Sequence, residues 1–112
     1  MSWSAQIRKG VIEFLALAVL EREETYGYAL LKGLNAGQAL QFTESSLYLA
    51  LGRLAKAGLV ESSKRPSPDG PARRYYTLTD DGRAHLQMMR VYWRSMASDI
   101  AALGYPKDED DS

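Results

Sequence analysis

The sequence predicts a mainly α-helical fold with one small β-hairpin, in the order three helices, hairpin, long helix. Apolar residues recur every three or four positions through most of the chain, which is the spacing of helices that bury one face. Three of the four prolines fall between residues 66 and 71, and the runs on either side have the composition of short strands. The last third of the chain repeats its apolar residues in steps of three and four up to Leu103.

The composition is that of one small globular domain. The 112 residues include 14 basic and 14 acidic side chains, for a net charge of zero, and no cysteine. Without cysteine the chain has no disulfide, thiolate metal site or cysteine nucleophile. The sequence has no catalytic carboxylate pair, metal-ligand cluster or phosphate-binding glycine loop, and we interpret its single histidine, His85, as a surface residue. We therefore expect no enzymatic activity, no metal and no cofactor.

The most apolar segment, from Val11 to Leu20, lacks the features of a membrane span or an export signal. Glu13 interrupts it, and acidic residues follow it. It is also shorter than the roughly 20 residues that cross a bilayer, and it has no small-residue cleavage pattern. We expect a cytoplasmic protein that does not bind membranes.

The first two predicted helices cover residues 5–22 and about 26–35, and the first is apolar on most sides. The third begins at Thr43, a residue type whose side-chain oxygen caps helix N-termini. Leucines at positions 47, 51 and 54 form its inner stripe, and Gly58 ends it. Its outer face is therefore left for another partner.

The predicted hairpin pairs residues 59–65 with residues 73–79. Strand-forming residues lie in both runs, and Asp69-Gly70 between them is a typical turn sequence. The prolines predict an irregular, protruding tip at residues 66–72. Because neighbouring strand residues point to opposite faces, one of Tyr75 and Tyr76 should be buried and the other exposed.

The last helix begins after Thr79, a second capping residue, and is predicted to run to about residue 104. Its roughly 24 residues, at about 1.5 Å each, form a rod of about 36 Å, which so small a domain cannot cover. The apolar spacing is that of a coiled-coil seam, so we expect a homodimer. The predicted dimer-interface residues are Leu86, Met89, Trp93, Met96, Ile100 and Leu103.

Three helices followed by a hairpin and a long helix is the order of a winged helix-turn-helix with a dimerisation helix. In that fold the third helix enters the DNA major groove, and the hairpin, or wing, contacts the backbone or the minor groove. Residues 53–74 contain six basic and two acidic residues, a local charge of +4 in a neutral chain. We expect residues 1–79 to bind double-stranded DNA, residues 80–104 to dimerise, and residues 105–112 to form an acidic disordered tail.

The candidate DNA-binding residues supply hydroxyls and cations along the third helix and the wing. Hydroxyls near a helix N-terminus suit a phosphate, an arginine suits guanine or phosphate, and a lysine is a mobile point charge. A homodimer would place two such helices about one DNA turn apart, on a near-palindromic operator. The candidates are Ser45, Ser46, Tyr48, Leu49, Arg53, Lys56, Lys64, Arg65, Arg73 and Arg74.

Four segments resemble the PadR-like transcriptional regulators: KGVIEFLALAVL, TYGYALLKGL, SSLYLALGRLAKAGLV and GPARRYYTLTDDGR. The resemblance covers nearly the whole chain and is closest to the small subfamily with a single C-terminal helix. It implies a homodimeric winged-helix repressor, and repression as opposed to activation is expected on this basis alone. Leu49 stands where the family commonly has proline, and Gly52 where a second basic residue is common. Gly52 removes one phosphate or base contact, with consequences for DNA affinity or the operator sequence.

Some small members of this family bind flat aromatic compounds between paired tryptophans at the dimer centre, and Trp93 matches that position. A flat ring stacked between two indoles buries a large area at little loss of entropy. Met89 and Met96, one turn to either side, would supply adaptable walls. Two interpretations stay open: Trp93 packs across the dimer seam, or it also binds an aromatic ligand that releases the regulator from DNA.

An alternative from another class is a dimeric winged-helix module that binds proteins and has lost specific DNA binding. The zero net charge and Gly52 favour it. A lack of DNA retardation at low salt, together with a recovered partner protein, would support this alternative over the regulator.

Overall fold

The computed structural model describes residues 2–107, and it confirms the predicted order of helices and hairpin. Met1 and residues 108–112 lie outside the described residues, and with them most of the tail predicted to be disordered. The elements are α1 (Trp3–Arg22), β1 (Thr25–Tyr26), α2 (Gly27–Leu34), α3 (Glu44–Lys56), β2 (Val60–Ser67), β3 (Gly70–Leu78) and α4 (Asp80–Leu103).

The core lies where the three N-terminal helices meet the sheet and the first turns of α4. Its largest fully buried side chains are leucines from all four helices, and Val60 and Tyr76 close it from the sheet. Removing one leucine side chain from water stabilises the folded state by about 1.5–3 kcal/mol. Because α3 contributes leucines to this cluster, their burial fixes which face of α3 points outward. The leucines are Leu17, Leu30, Leu47, Leu51 and Leu86.

Both predicted threonine caps are present. The Thr43 Oγ1 accepts a hydrogen bond from the backbone N–H of Ser46 at 3.1 Å, and α3 ends before Gly58, whose φ is +79°. The Thr79 Oγ1 accepts from the Gly82 N–H at 2.9 Å and donates to the Gly58 carbonyl at 2.7 Å. Thr79 therefore caps α4 and also holds its start against the end of α3.

Within residues 2–107 the sheet has three strands, so the predicted two-stranded hairpin was incomplete. The strand order is β1-β3-β2, with antiparallel pairing throughout. In β1, Thr25 pairs with Tyr76 and Tyr26 pairs with Tyr75. The short strand joins the start of α2 to the wing and brings two tyrosines side by side, with ring centroids 5.5 Å apart.

The wing is more regular than its prolines suggested, and the predicted irregular tip at residues 66–72 is wrong. The two strands continue to a tight turn in which Ser67 pairs with Gly70. A register shift between Arg65 and Ser67 accommodates Pro66. Proline has no N–H to donate to the partner strand, and a residue at a bulge does not need to donate one. Tyr76 is buried, as predicted for one of the two tyrosines, but Tyr75 is half-buried rather than exposed, because the Tyr26 ring and the Arg65 guanidinium pack against it.

The helix α4 is anchored by its first half and extends beyond the domain with its second. Trp93 stacks on Phe14 of α1, with ring centroids 5.6 Å apart and planes 17° apart. From residue 97 to the end of α4 every residue is exposed. The molecule is consequently long and narrow, 63 × 28 × 24 Å.

Within residues 2–107, none of the helices combines the length and the apolar character needed to cross a bilayer.

Candidate nucleic-acid interface

The outer face of α3 exposes every residue that the sequence analysis assigned to it. Leu47, Ala50, Leu51 and Leu54 point into the core, so the intervening side chains must point away from it. Leu49 is 66% exposed and Tyr48 is 45% exposed, although both are large and apolar. The exposed candidates on this helix are Ser45, Ser46, Tyr48, Leu49, Arg53 and Lys56.

The hydroxyls at the start of α3 are arranged around Thr43. The Thr43 hydroxyl donates to the Ser46 Oγ at 2.8 Å and lies 3.4 Å from the Ser45 Oγ. Since Ser46 accepts in this contact, its own hydroxyl proton remains available to an outside acceptor such as a phosphate oxygen. Glu44 is the single acidic residue in the first turn, and it is exposed.

Tyr48 connects α3 to the start of α2. Its ring lies so close to Gly27 that a Cβ atom at that position would approach the Tyr48 hydroxyl oxygen to 2.6 Å. Gly27 is therefore required for this contact. Tyr48 also borders a groove of about 370 Å³ that runs from Tyr26 and Tyr28 to the wing residues Arg73 and Arg74.

The wing places like charges opposite one another. Lys64 pairs with Arg74 and Arg65 pairs with Arg73 across the two strands. Like charges at directly opposed positions destabilise an antiparallel pair. Two consecutive basic pairs are therefore not explained by hairpin stability, and they concentrate positive charge where a polyanion can reach it.

Aromatic rings and a carboxylate support one face of the wing. The Arg65 guanidinium lies 4.5 Å from the Tyr75 ring and its Nη1 is 2.7 Å from the Glu24 Oε1. The Arg73 guanidinium lies 4.4 Å from the Tyr26 ring. The hydrogen bond from Arg65 lowers the pKa of the Glu24 carboxyl and raises that of Arg65. This support holds both arginines in place without removing them from solvent.

On the other face of the wing, Lys64 and Arg74 have no carboxylate partner among the described residues. The Arg74 Nη1 donates to the Ser62 Oγ at 2.9 Å, a neutral partner that leaves its charge uncompensated. Burial raises the pKa of the neighbouring Tyr76 hydroxyl, with the Arg74 charge acting in the opposite direction. Among the described residues, neither Lys64 nor Lys56 of α3 forms an ion pair.

Arg53 is held by α1 rather than extended into solvent. Its Nε lies 2.9 Å from the Glu13 Oε1, and both side chains are partly exposed. Arg53 lines a second groove, of about 300 Å³, between α1 and α3. Arg8 and Lys9 line this groove together with Ser46 and Leu49. The sequence analysis missed these two cations, for which the adjacent basic pair in the first helix was the available signal.

The predicted dimer seam divides into a part that the chain buries itself and a part that it exposes. Leu86 is completely buried in the domain core, and Met89 and Trp93 pack against that core. Met96 is partly exposed, Ile100 is 52% exposed and Leu103 is 85% exposed. Four residues apart on the same helix, Met88 and Tyr92 are also more than 60% exposed and continue this apolar face toward the domain. The sequence analysis left both of them out.

Comparison with solved structures shows close similarity over nearly the whole chain. A PadR-like transcriptional regulator from Bacillus cereus strain ATCC 14579 is 33% identical and superposes with a TM-score of 0.80, covering 91% of this chain and 99% of that one. A PadR family transcriptional regulator from Eggerthella lenta DSM 2243 is 30% identical, with a TM-score of 0.78 and coverage of 92% and 89%.

Sequence comparison agrees with these structural matches. An uncharacterized protein of Lysinibacillus sphaericus is 26% identical over 91 residues, which is 80% of this chain and 84% of that protein. The model of the transcriptional regulator PadR-like family matches residues 16–88, from the middle of α1 to the first half of α4. That span includes α3, the complete wing and the tyrosine pair of β1 and β3. The chain therefore belongs to the PadR-like family of transcriptional regulators, and it has the winged-helix fold that its sequence predicted.

Proposed function

We propose that this protein is a homodimeric, sequence-specific DNA-binding regulator that represses transcription. The observation that carries the proposal is the exposed outer face of α3 beside two consecutive basic pairs of the wing. A helix of this size fits the major groove, where side chains reach base edges, while wing cations suit the phosphate backbone. Family membership supports the same function.

The proposed division of labour follows from the chemistry of each side chain. Leu49 is exposed at the centre of α3 and suits the methyl group of a thymine, while Ser45 and Ser46 suit phosphate or base acceptors. Lys56, Lys64 and Arg74 provide positive charge free of carboxylate partners among the described residues. Phosphate contacts of this kind give affinity and register, and the base contacts of α3 give sequence preference.

A dimer through α4 would bring two copies of α3 to successive turns of DNA. An apolar face of α4 that the chain itself leaves uncovered supports this assembly, and it is formed by Met88, Tyr92, Met96, Ile100 and Leu103. Pairing with the same face of a second copy is the simplest way to remove it from water. Sedimentation of the protein should give twice the chain mass, and Met96→Glu together with Ile100→Glu should give a folded monomer. A monomeric wild-type protein at micromolar concentration would contradict this assembly.

Specific binding is tested by gel retardation of the DNA immediately upstream of the protein's own gene, with unrelated DNA as competitor. We expect a retarded complex that excess unrelated DNA does not remove, and a reporter joined to that DNA should be less active when the protein is present. Increased reporter activity would instead show that the protein activates transcription. Binding that is weak, salt-sensitive and equal for all DNA, at every promoter tested, would favour the protein-interaction module instead.

Trp93 supports a second element of the proposal, release by a flat aromatic ligand. Phe14 covers one face of the indole by stacking, so the indole already lies in an aromatic environment with methionines at positions 89 and 96 on the same side of α4. A ligand that prefers one dimer spacing would shift the population away from the DNA-binding form. Because Trp3 is also exposed, the test uses a Trp3→Phe background, in which Trp93 is the only tryptophan. Saturable quenching by planar dyes is expected, and its absence would remove the ligand from the account.

A further inference from the structure

The groove between α1 and α3 lies on the opposite side of α3 from the wing. Tyr48 borders the groove toward the wing, whereas the next residue, Leu49, borders the groove toward α1. Successive residues of an α-helix differ by about 100° around its axis, so the two grooves flank the outer face of α3. The face proposed to contact DNA therefore has an element on each side, the wing on one and the N-terminal half of α1 on the other.

The α1 side of this face is positively charged. Arg8 and Lys9 line the same groove as Arg53, and the carboxylate partner of Arg53, Glu13, is not among the residues that line it. Among residues 2–107 neither Arg8 nor Lys9 forms an ion pair or a side-chain hydrogen bond. Lys9 is exposed and Arg8 half-buried, an arrangement in which the alkyl part of arginine packs on protein while its guanidinium stays in solvent.

The floor of the groove is apolar and its rim is polar. Ala5, Ile12 and Phe42 line the bottom, and the hydroxyl-bearing residues Thr43 and Ser46 lie at the edge formed by the start of α3. The rim thus combines two uncompensated cations with hydroxyl groups, and none of the residues that line the groove carries a carboxylate. This chemistry suits the oxygen atoms of a phosphodiester.

We propose that α1 is a third DNA-contacting element, in which Arg8 and Lys9 bind the phosphate backbone on the side of α3 away from the wing. A helix in the major groove, which is about 12 Å wide, has a sugar-phosphate backbone on both sides. The wing reaches one of these backbones, and α1 is the element placed to reach the other. This inference rests on the proposed function, because it assumes that α3 lies in the major groove.

The proposal predicts a specific energetic signature. Two phosphate contacts contribute about 1.8 to the slope of log affinity against log salt concentration. They carry no base information, so their loss should weaken binding to operator and unrelated DNA in the same proportion. Loss of a base contact would instead weaken operator binding alone.

The test compares the wild-type protein with the double variant Arg8→Gln, Lys9→Gln, which keeps side-chain length and removes both charges. The matched control is Arg94→Gln, Lys107→Gln, which removes the same charge from α4 and the segment after it. Affinity for operator and unrelated duplexes is measured by fluorescence anisotropy at several salt concentrations, and thermal unfolding establishes that each variant is folded. A third variant, Arg8→Lys, Lys9→Arg, keeps the charge.

We expect the double variant to have the lower salt slope, while the control and the charge-keeping variant have the wild-type slope. From about 50 to about 200 mM salt, the wild-type protein should lose roughly tenfold more affinity than the double variant. A folded double variant with an unchanged slope would overturn the proposal and leave the regulator function standing. If the wild-type protein binds no DNA specifically, the proposed function fails first, so the two failures are distinguishable.

Discussion

Arg53 of α3 and Glu13 of α1 form an ion pair, with the Arg53 Nε 2.9 Å from the Glu13 Oε1. Both side chains are partly exposed, so the pair contributes little to stability. The pair instead affects binding, because Arg53, a cation on the α1 side of the proposed DNA-binding face, is compensated by a carboxylate of its own chain. DNA must therefore compete with Glu13 for Arg53, or bind beside a negative charge.

The variant Glu13→Gln should consequently bind DNA more tightly than the wild-type protein. It frees Arg53 and removes a charge that repels phosphate, so we expect several-fold higher affinity and a steeper salt dependence. Anisotropy titrations with an operator duplex measure both quantities. Glu23→Gln, at the C-cap of α1 and ten residues from Glu13, is the matched control and should behave as wild type. Unchanged or weaker binding by Glu13→Gln would show that Arg53 takes no part in the interface, or that Glu13 positions it.

Gly82→Ala should destabilise the fold, because α4 starts in close contact with the end of α3. A Cβ atom at Gly82 would collide with the Leu59 carbonyl oxygen and lie 2.7 Å from the Leu78 Cδ1. Backbone cannot move aside as a flexible side chain can, so we expect a loss of about 1–3 kcal/mol in the free energy of unfolding. Urea titration measures it.

Gly52→Ala is the matched control for Gly82→Ala. Nothing lies within 4 Å of a Cβ atom at Gly52, which is in the middle of the exposed face of α3. Alanine there should raise the free energy of unfolding by up to about 1 kcal/mol through helix propensity. Equal effects of the two substitutions would contradict the close approach of α4 to Leu59.

Gly27→Ala should weaken DNA binding more than it weakens the fold. The added methyl group meets the phenol end of Tyr48, which can rotate away, so the free energy of unfolding should change little. The moved Tyr48 would no longer border the groove beside the wing, and we expect a several-fold loss of operator affinity. Gly33→Ala, where the nearest atom is the Val19 Cγ1 at 3.6 Å, is the control. Wild-type affinity of a folded Gly27→Ala protein would remove Tyr48 from the interface.

The contact of α4 with α1 should be sensitive to acid. Two hydrogen bonds join Arg90 to the Glu21 carboxylate, at 2.8 and 3.1 Å, and the hydrogen bond from Arg90 lowers the pKa of Glu21 below its ordinary value of 4.5. A carboxyl group with a lowered pKa stabilises the folded state above its unfolded-state pKa, and this contribution is lost as the pH falls through the folded-state value.

The melting temperature of the wild-type protein should therefore exceed that of Glu21→Gln at neutral pH, and the difference should shrink at acid pH, as the Glu21 carboxyl becomes protonated in the folded state. Calorimetry or circular dichroism at the two pH values measures it, with Glu23→Gln as a control that has no arginine partner among the described residues. A difference that stays constant from neutral to acid pH would show that the ion pair is not its cause.

The parts of the fold that local sequence determines were predictable, and those that depend on distant pairing were not. Thr43 and Thr79 cap helices through neighbouring backbone groups, so residue type and position sufficed for both. The strand β1 has two residues and owes its existence to pairing with Tyr75 and Tyr76, about fifty positions away. Helical spacing also assigned Leu86 to the dimer seam with Trp93, whereas the core of its own domain buries it. Spacing identifies one face of α4 but does not show what covers that face.

The candidate site was predictable in residue type but not in electrostatic environment. The sequence identified the cations of α3 and the wing, and the structure places those of α3 on its outer face and those of the wing around the hairpin. Their partners, Glu13 for Arg53 and Glu24 for Arg65, lie some forty positions away in the chain. Such pairs depend on how α1 packs against the rest of the fold, and no local pattern encodes them.

The most direct test removes the two cations of α3 from the proposed interface and measures specific binding. The variant Arg53→Ala, Lys56→Ala is compared with wild type and with Arg94→Ala, Lys107→Ala, which has the same net charge, by anisotropy on an operator duplex with unrelated DNA as competitor. We predict that the α3 variant stays folded and dimeric and loses specific binding, whereas the control keeps it. Unchanged specific binding by the α3 variant would contradict the assignment of the outer face of α3 to DNA.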